Sequence, residues 1–219
     1  MDERARGILI EAIEVALAMA FLLAYIWFVE PRSQAYQMPG LVLFFTFTFL
    51  LHRRHGDTAA DLGMRLDNFG PALGEALFVF APALLLAFAA GLHLEGGGRL
   101  DARHIALSLL GGYPWALFQQ YGLQCVIGRR LLGVVPHPIG HDVVCAVLFA
   151  ALHLPNPLLT VVTFGAAYCF RALFRRCPNL FALAVVHTVA STVLYHALPP
   201  VMTHLMRVGP GYFKEAGLF

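Results

Sequence analysis

The sequence predicts an all-α, polytopic transmembrane helical bundle with about seven to eight membrane segments. Three observations predict it. Apolar side chains make up 59% of the 219 residues, and charged ones only 13%, where a soluble domain carries about a quarter. The mean hydropathy is +0.70. The apolar residues gather into seven runs, most of them near the roughly 20 residues that a spanning helix needs. The length suits a single integral membrane domain, 1–219, with no sizeable soluble one beside it.

The first run, 8–29, follows Met-Asp-Glu-Arg-Ala-Arg and carries Glu11 and Glu14 near its start, where both are expected to reach the interface. It is too long for the core of a cleavable signal peptide and lacks a clear cleavage site. The second, 38–51, is short; Arg53, Arg54 and Arg65 mark the polar connection after it. The third, 71–92, starts at Pro71 and holds Glu75 one turn in, which fits snorkelling from a helix end. Gly96-Gly97-Gly98 marks the next turn. The fourth, 104–127, contains three glutamines and closes on Arg129 and Arg130. Gly111-Gly112-Tyr113-Pro114 is expected to kink it just before the glutamines, because proline removes a backbone hydrogen bond. The fifth, 141–154, is short and begins with Asp142, an acid that the helix dipole favours at that end. His137 and His141 flank a proline-containing turn and are expected to be solvated. The sixth, 157–174, closes on Arg171, Arg175 and Arg176, and the seventh, 179–198, carries His187.

Seven spans with the N-terminus inside place ten basic residues on the cytoplasmic side. Five lie on the other: Arg32, Arg99, Arg103, Arg207 and Lys214. The positive-inside rule therefore favours a cytoplasmic N-terminus. A net charge of +2, with no continuous basic patch, argues against nucleic acid as a partner. Cys125, Cys145, Cys169 and Cys177 form no CxxC pair and read as free thiols. The chain has no Gly-rich phosphate loop, no GxSxG and no HExxH.

The residues that bear on function are polar ones inside apolar runs. Unpartnered amides are costly in hydrocarbon, so Gln119, Gln120 and Gln124 are expected to face protein or a wet cavity. Gln120 and Gln124 share a helical face; Gln119 points about 100° away from Gln120. A polar seam joining two helices is the simpler use of such amides. His153 ends Leu148-Phe-Ala-Ala-Leu-His153, where Phe149, four residues back, can pack on the imidazole. His187 lies deeper, with Ser191 one turn on; a core histidine bonded to a carbonyl is its simpler reading. Imidazole also serves as acid, base or metal ligand. Asp142 stands about 16 Å along the axis from His153, too far to orient it. By the same counting, His153 and the glutamines fall toward opposite membrane faces, unless the Pro155-Asn156-Pro157 break lies within the membrane and lines the cavity.

In order, these residues resemble the CPBP family of CAAX-processing and bacteriocin-processing intramembrane endopeptidases, also called Abi. Family members carry Glu-Glu-x-x-x-Arg, then Phe-x-x-x-His, then His-x-x-x-Asn or Asp. Gln119-Gln120-Tyr-Gly-Leu-Gln124 aligns with the first motif, Phe149-Ala-Ala-Leu-His153 matches the second, and His187-Thr-Val-Ala-Ser191 aligns with the third. The likeness spans about 105–195, and Asp61-Leu-Gly-Met-Arg65 also looks like the family's usual connection. The resemblance implies an intramembrane site in which a glutamate activates water, while the histidines and asparagine hold an oxyanion or, on another view, a metal. Here glutamine replaces that glutamate and cannot take up a proton. Gln124 replaces an arginine for which, without glutamates, there is no charge to balance.

Three readings follow. One is an altered hydrolase in which His153 or His187 is the base, with Gln119 and Gln120 in the catalytic set and Gln124, Ser191, Asn156 and Phe149 lining the substrate or oxyanion site. Another is a pseudoprotease that binds or chaperones a membrane protein or lipid-anchored peptide. The last is a small-molecule or ion carrier, for which no inverted repeat is visible. No cofactor is required; zinc at His153 and His187 would need a further ligand such as Asn156 or Glu75. The expected partners are the lipid bilayer and a peptide or membrane-protein substrate, and the expected location is a bacterial inner membrane.

Overall fold

The computed structural model describes residues 2–32, 34–94 and 101–218, so the Gly96-Gly97-Gly98 turn and Arg99 lie outside the described residues. The described chain is all-helical, as expected. Helix α1 is Glu3–Ala24, capped by the Asp2 carboxylate and extended by a wider π turn, Tyr25–Val29. Helix α2, Gln37–His55, stops at Gly56, whose φ of 67° suits a residue without a Cβ. Helix α3 is Phe69–His93. Helix α4, Ala102–Tyr121, continues through a π segment, Gly122–Gly128, to a last turn, Arg129–Leu131. Helices α5 (Pro138–Ala151), α6 (Pro157–Arg176) and α7 (Leu180–Ala197) follow, then the short α8 (Pro200–Thr203) and α9 (Gly209–Glu215).

Each expected segment coincides with one of α1 to α7. Among the described residues, four helices are long and apolar enough to cross a membrane: Glu3–Val29, Phe69–His93, Pro157–Arg176 and Leu180–Ala197. Large apolar side chains lie on the outside, with Phe78 at 83% and Leu110 at 76% exposure, a surface suited to lipid rather than water. The expected distortion of α4 is displaced. The helix runs on as α through Pro114, and its irregular turn is Gly122–Gly128, after Gln119 and Gln120 and around Gln124.

Helix α7 packs between α3 and α4, and α5 packs on α6. At the α3–α7 crossing, a Cβ on Gly91 would stand 2.2 Å from the Ala197 carbonyl oxygen, so only glycine permits that approach. Phe80 of α3 stacks on Phe170 of α6 at 4.4 Å, inside a core that includes Leu123, Ile127, Phe149 and Val186.

The polar connections meet at one end of the bundle. Asp57 accepts hydrogen bonds from Arg129 (2.9 Å) and Arg130, and pairs with His52 at 2.8 Å. Arg65-carbonyl and Asn68 both accept from Asn179, which caps α7. Arg176 pairs with Glu75 at 2.8 Å, in keeping with a helix-end position for that glutamate. Glu14 departs from expectation. It is 5% exposed and pairs with His55 at 2.9 Å, because it falls on the inner face of α1 beside Val15 and Ala18.

At the other end, Asn156 fastens the break between α5 and α6. Its side-chain oxygen accepts from the Leu159 amide (3.1 Å), and its amide donates to the carbonyls of Thr203 (3.0 Å) and Arg207 (3.1 Å). Gly209 N–H donates to the Leu154 carbonyl at 2.9 Å. The C-terminal pieces thus cover the break, and neither α8 nor α9 has the length to span.

Candidate functional site

Four helices supply the site. Gln120 and Gln124 come from α4, where it passes into its π segment, and are 0% and 1% exposed. Gln124 Nε2 donates to Gln120 Oε1 at 3.0 Å. Gln120 Nε2 reaches His187 Nδ1 on α7 at 3.1 Å; an amide nitrogen only donates, so Nδ1 accepts and Nε2 carries the proton of a neutral ring. Helix α5 contributes Phe149, and His153 stands in the turn that follows. His153 Nδ1 lies 2.9 Å from the Phe149 carbonyl, which only accepts, so this ring is protonated at Nδ1 and keeps the Nε2 lone pair.

One phenyl ring joins the two histidines. Phe149 lies 5.0 Å from the His153 ring and 6.5 Å, edge-on, from the His187 ring; Phe170 covers His187 at 5.6 Å. Helix α5 has 14 residues, about 21 Å at 1.5 Å per residue, and ends short of a full crossing. The turn after it carries His153, which meets the Phe149 ring that also faces His187, the partner of Gln120.

The remaining expected residues separate. Gln119 is half-buried and takes no part in the amide chain. Ser191 is half-buried one turn beyond His187 on α7 and is also outside the chain. Asn156 spends its side-chain oxygen and both amide hydrogens on the cap and the C-terminal carbonyls, so it is a fastening rather than a free donor.

Three residues emerge that the sequence left at the margins. Arg171 is 4% exposed and donates through Nη1 to Gln124 Oε1 at 2.6 Å, so an arginine does reach Gln124, from a different helix. Asp142, 0% exposed, accepts from Arg175 at 2.7 Å and stands 3.9 Å from Arg171 Nε. His141 is 2% exposed, contrary to the expected solvation, because its Nε2 donates to the Gly128 carbonyl at the end of the π segment at 2.9 Å. His137 is exposed, as expected, and caps α5. A usable signal existed for Arg171: it lies one turn inside the end of α6, among Ala167, Phe170 and Phe174 on the apolar face. Room for its guanidinium comes from Gly128, where a Cβ would stand 2.3 Å from Nη1.

A resident zinc does not fit this donor set. His153 keeps its Nε2 lone pair, but His187 Nδ1 is taken by Gln120, Asn156 is consumed and Glu75 pairs with Arg176, so no third ligand among the described residues completes a set with the two imidazoles. Among the described residues no three His, Cys, Asp or Glu side chains are grouped to hold a metal ion.

Fold and site together define a helical integral membrane protein with a buried amide–imidazole cluster. Residues 115–193 match the family model described as type II CAAX prenyl endopeptidase Rce1-like, consistent with the CPBP group of CAAX proteases. The match covers about a third of the chain and contains every residue of the cluster. No curated protein and no solved structure is significantly similar to it. The family points to a membrane protease-type function of the CAAX class.

Proposed function

We propose that this protein is a membrane-embedded hydrolase that cuts a peptide bond in a membrane-anchored or lipidated substrate. The observation that carries this reading is the approach of His153, from the turn after α5, and His187, from α7, to the Phe149 ring, with a buried amide bonded to His187. His153 is the base. Its Nε2 lone pair takes a proton from water as the water oxygen attacks the scissile carbonyl carbon. His187 donates its Nε2–H to the oxygen that gains charge. Collapse breaks the C–N bond, and His153 returns its proton to the leaving amine. No glutamate is needed, which suits Gln119 and Gln120 in place of a Glu pair.

Orientation follows from charge. With Arg171 buried inside the bundle, nine basic residues remain at the connections on the N-terminal side against five opposite. That balance supports a cytoplasmic N-terminus. Among the described residues no carboxylate partners His153 or His187, which favours a second reading, a pseudoprotease that holds a membrane partner without cutting it.

The test is cleavage of membrane-anchored and lipidated peptides by the purified protein. The hydrolase reading expects product from the wild type and its loss in His153→Ala and His187→Ala. Cleavage unchanged by both substitutions overturns the assignment. A partner bound stably with no cleaved product, and unaffected by either change, establishes the second reading.

A further inference from the structure

Arg171 stands at the head of a hydrogen-bond chain whose direction cannot be reversed. A guanidinium has donors and no acceptor. Facing it at 2.6 Å, Gln124 must present Oε1, which turns its Nε2 toward Gln120. Gln120 must then offer Oε1 to Gln124, at 3.0 Å, and its own Nε2 to His187, at 3.1 Å. The far end of the chain is thereby fixed: His187 Nδ1 accepts, and its proton sits on Nε2. All side chains in the chain are buried, so water does not compete for these bonds.

The charge that starts the chain is itself held. Asp142 faces Arg171 at 3.9 Å and is completed by Arg175 at 2.7 Å, while Gly128 leaves the guanidinium its place against α4. We infer that Arg171 is a positioning residue which, through Gln124 and Gln120, keeps His187 a hydrogen-bond donor toward the substrate and leaves the base role to His153. This rests on the hydrolase reading for its use, but the tautomer itself does not.

The experiment is ¹⁵N NMR of histidine-labelled full-length protein in nanodiscs near neutral pH, with His187 assigned by its loss in His187→Gln. The wild type is expected to show His187 protonated at Nε2 and His153 protonated at Nδ1. Gln124→Glu is nearly isosteric and keeps the pairing with Arg171. Its carboxylate accepts only, so Gln120 must turn its Nε2 toward position 124 and its Oε1 toward His187. The inference expects His187 to become protonated at Nδ1 in this variant. Arg171→Met is expected to give a mixture of the two forms. The same His187 tautomer in the wild type and Gln124→Glu, or Nδ1 protonation in the wild type, overturns it. If the tautomers respond as stated while no peptide is cleaved, the hydrolase reading fails and the positioning role stands. If cleavage occurs, Gln124→Glu lowers kcat by about 10²–10³ with KM little changed, the size of effect that follows loss of an oxyanion donor.

Discussion

Arg171 of α6 donates to the side-chain carbonyl of Gln124 on α4 across 2.6 Å, with both residues buried. A cation is thus kept inside an apolar bundle by one carbonyl and by the nearby Asp142 carboxylate. Removing either partner of a buried charge is far more costly than never having placed it there.

Asp142→Asn should therefore destabilise the protein by about 3–5 kcal/mol, since it preserves shape and removes the balancing charge. Arg175→Ala should cost about 1 kcal/mol or less, because Arg175 is 43% exposed and solvent screens its pairing with Asp142. Denaturant titration in mixed micelles checks both, and similar losses for the two variants would contradict the burial argument.

Two glycines should differ in their response to alanine. At Gly91 the added Cβ meets the Ala197 backbone at 2.2 Å, and backbone cannot rotate away. Gly91→Ala should separate α3 from α7 and cost about 3 kcal/mol, the upper part of the range for overpacking. At Gly128 the obstacle is the Arg171 guanidinium at 2.3 Å, which can swing aside. Gly128→Ala should cost less, about 1–2 kcal/mol, yet release Gln124. Thermal unfolding in detergent ranks the pair.

His153→Ala should lower the rate of peptide cleavage by about 10²–10⁴, the usual contribution of a positioned base. Its cost in stability should be small beside that of Asp142→Asn, because His153 is half-buried at a turn and, among the described residues, hydrogen-bonds the Phe149 carbonyl alone. Initial rates at equal folded concentration separate the two effects.

Acid should loosen the connection between α2 and α3. The hydroxyl and amide of Thr58 donate to the Asp61 carboxylate at 2.7 and 2.9 Å and hold its carboxyl below its usual range. A group whose folded pKa is depressed stabilises above its unfolded value, ordinarily 3.8, and loses that contribution as pH falls through the folded value. Melting temperatures of the wild type should therefore drop more steeply on acidification below pH 3.8 than those of Asp61→Asn. Parallel curves would show that the Thr58–Asp61 turn contributes nothing.

The Asp61-Leu-Gly-Met-Arg65 connection shows how a local pattern becomes legible once its neighbours are known. Gly63 has φ +66°, its carbonyl accepts from Leu180 N–H at 2.9 Å, and the Arg65 carbonyl accepts from Asn179. The turn is thus a clasp on the start of α7. The sequence marked it by likeness alone, since its partners lie more than 110 positions away.

Read alone, the chain determined seven helical segments, the apolar exterior, and a set of amides and imidazoles kept within apolar runs. Those are local signals: hydrophobic length, and the cost of an idle polar group. It misread Glu14, His141 and Arg171 because a charged or polar side chain near a helix end looks interfacial until another helix covers it. It left two placements of His153 relative to the glutamines, since counting along one axis does not locate a break in the chain. Only the tertiary structure decided that Arg171 turns inward to Gln124, that His187 meets Gln120, and that Phe149 stands between His187 and His153. Contacts between residues 47 and 67 positions apart depend on how helices pack, and packing is a property of all the faces together.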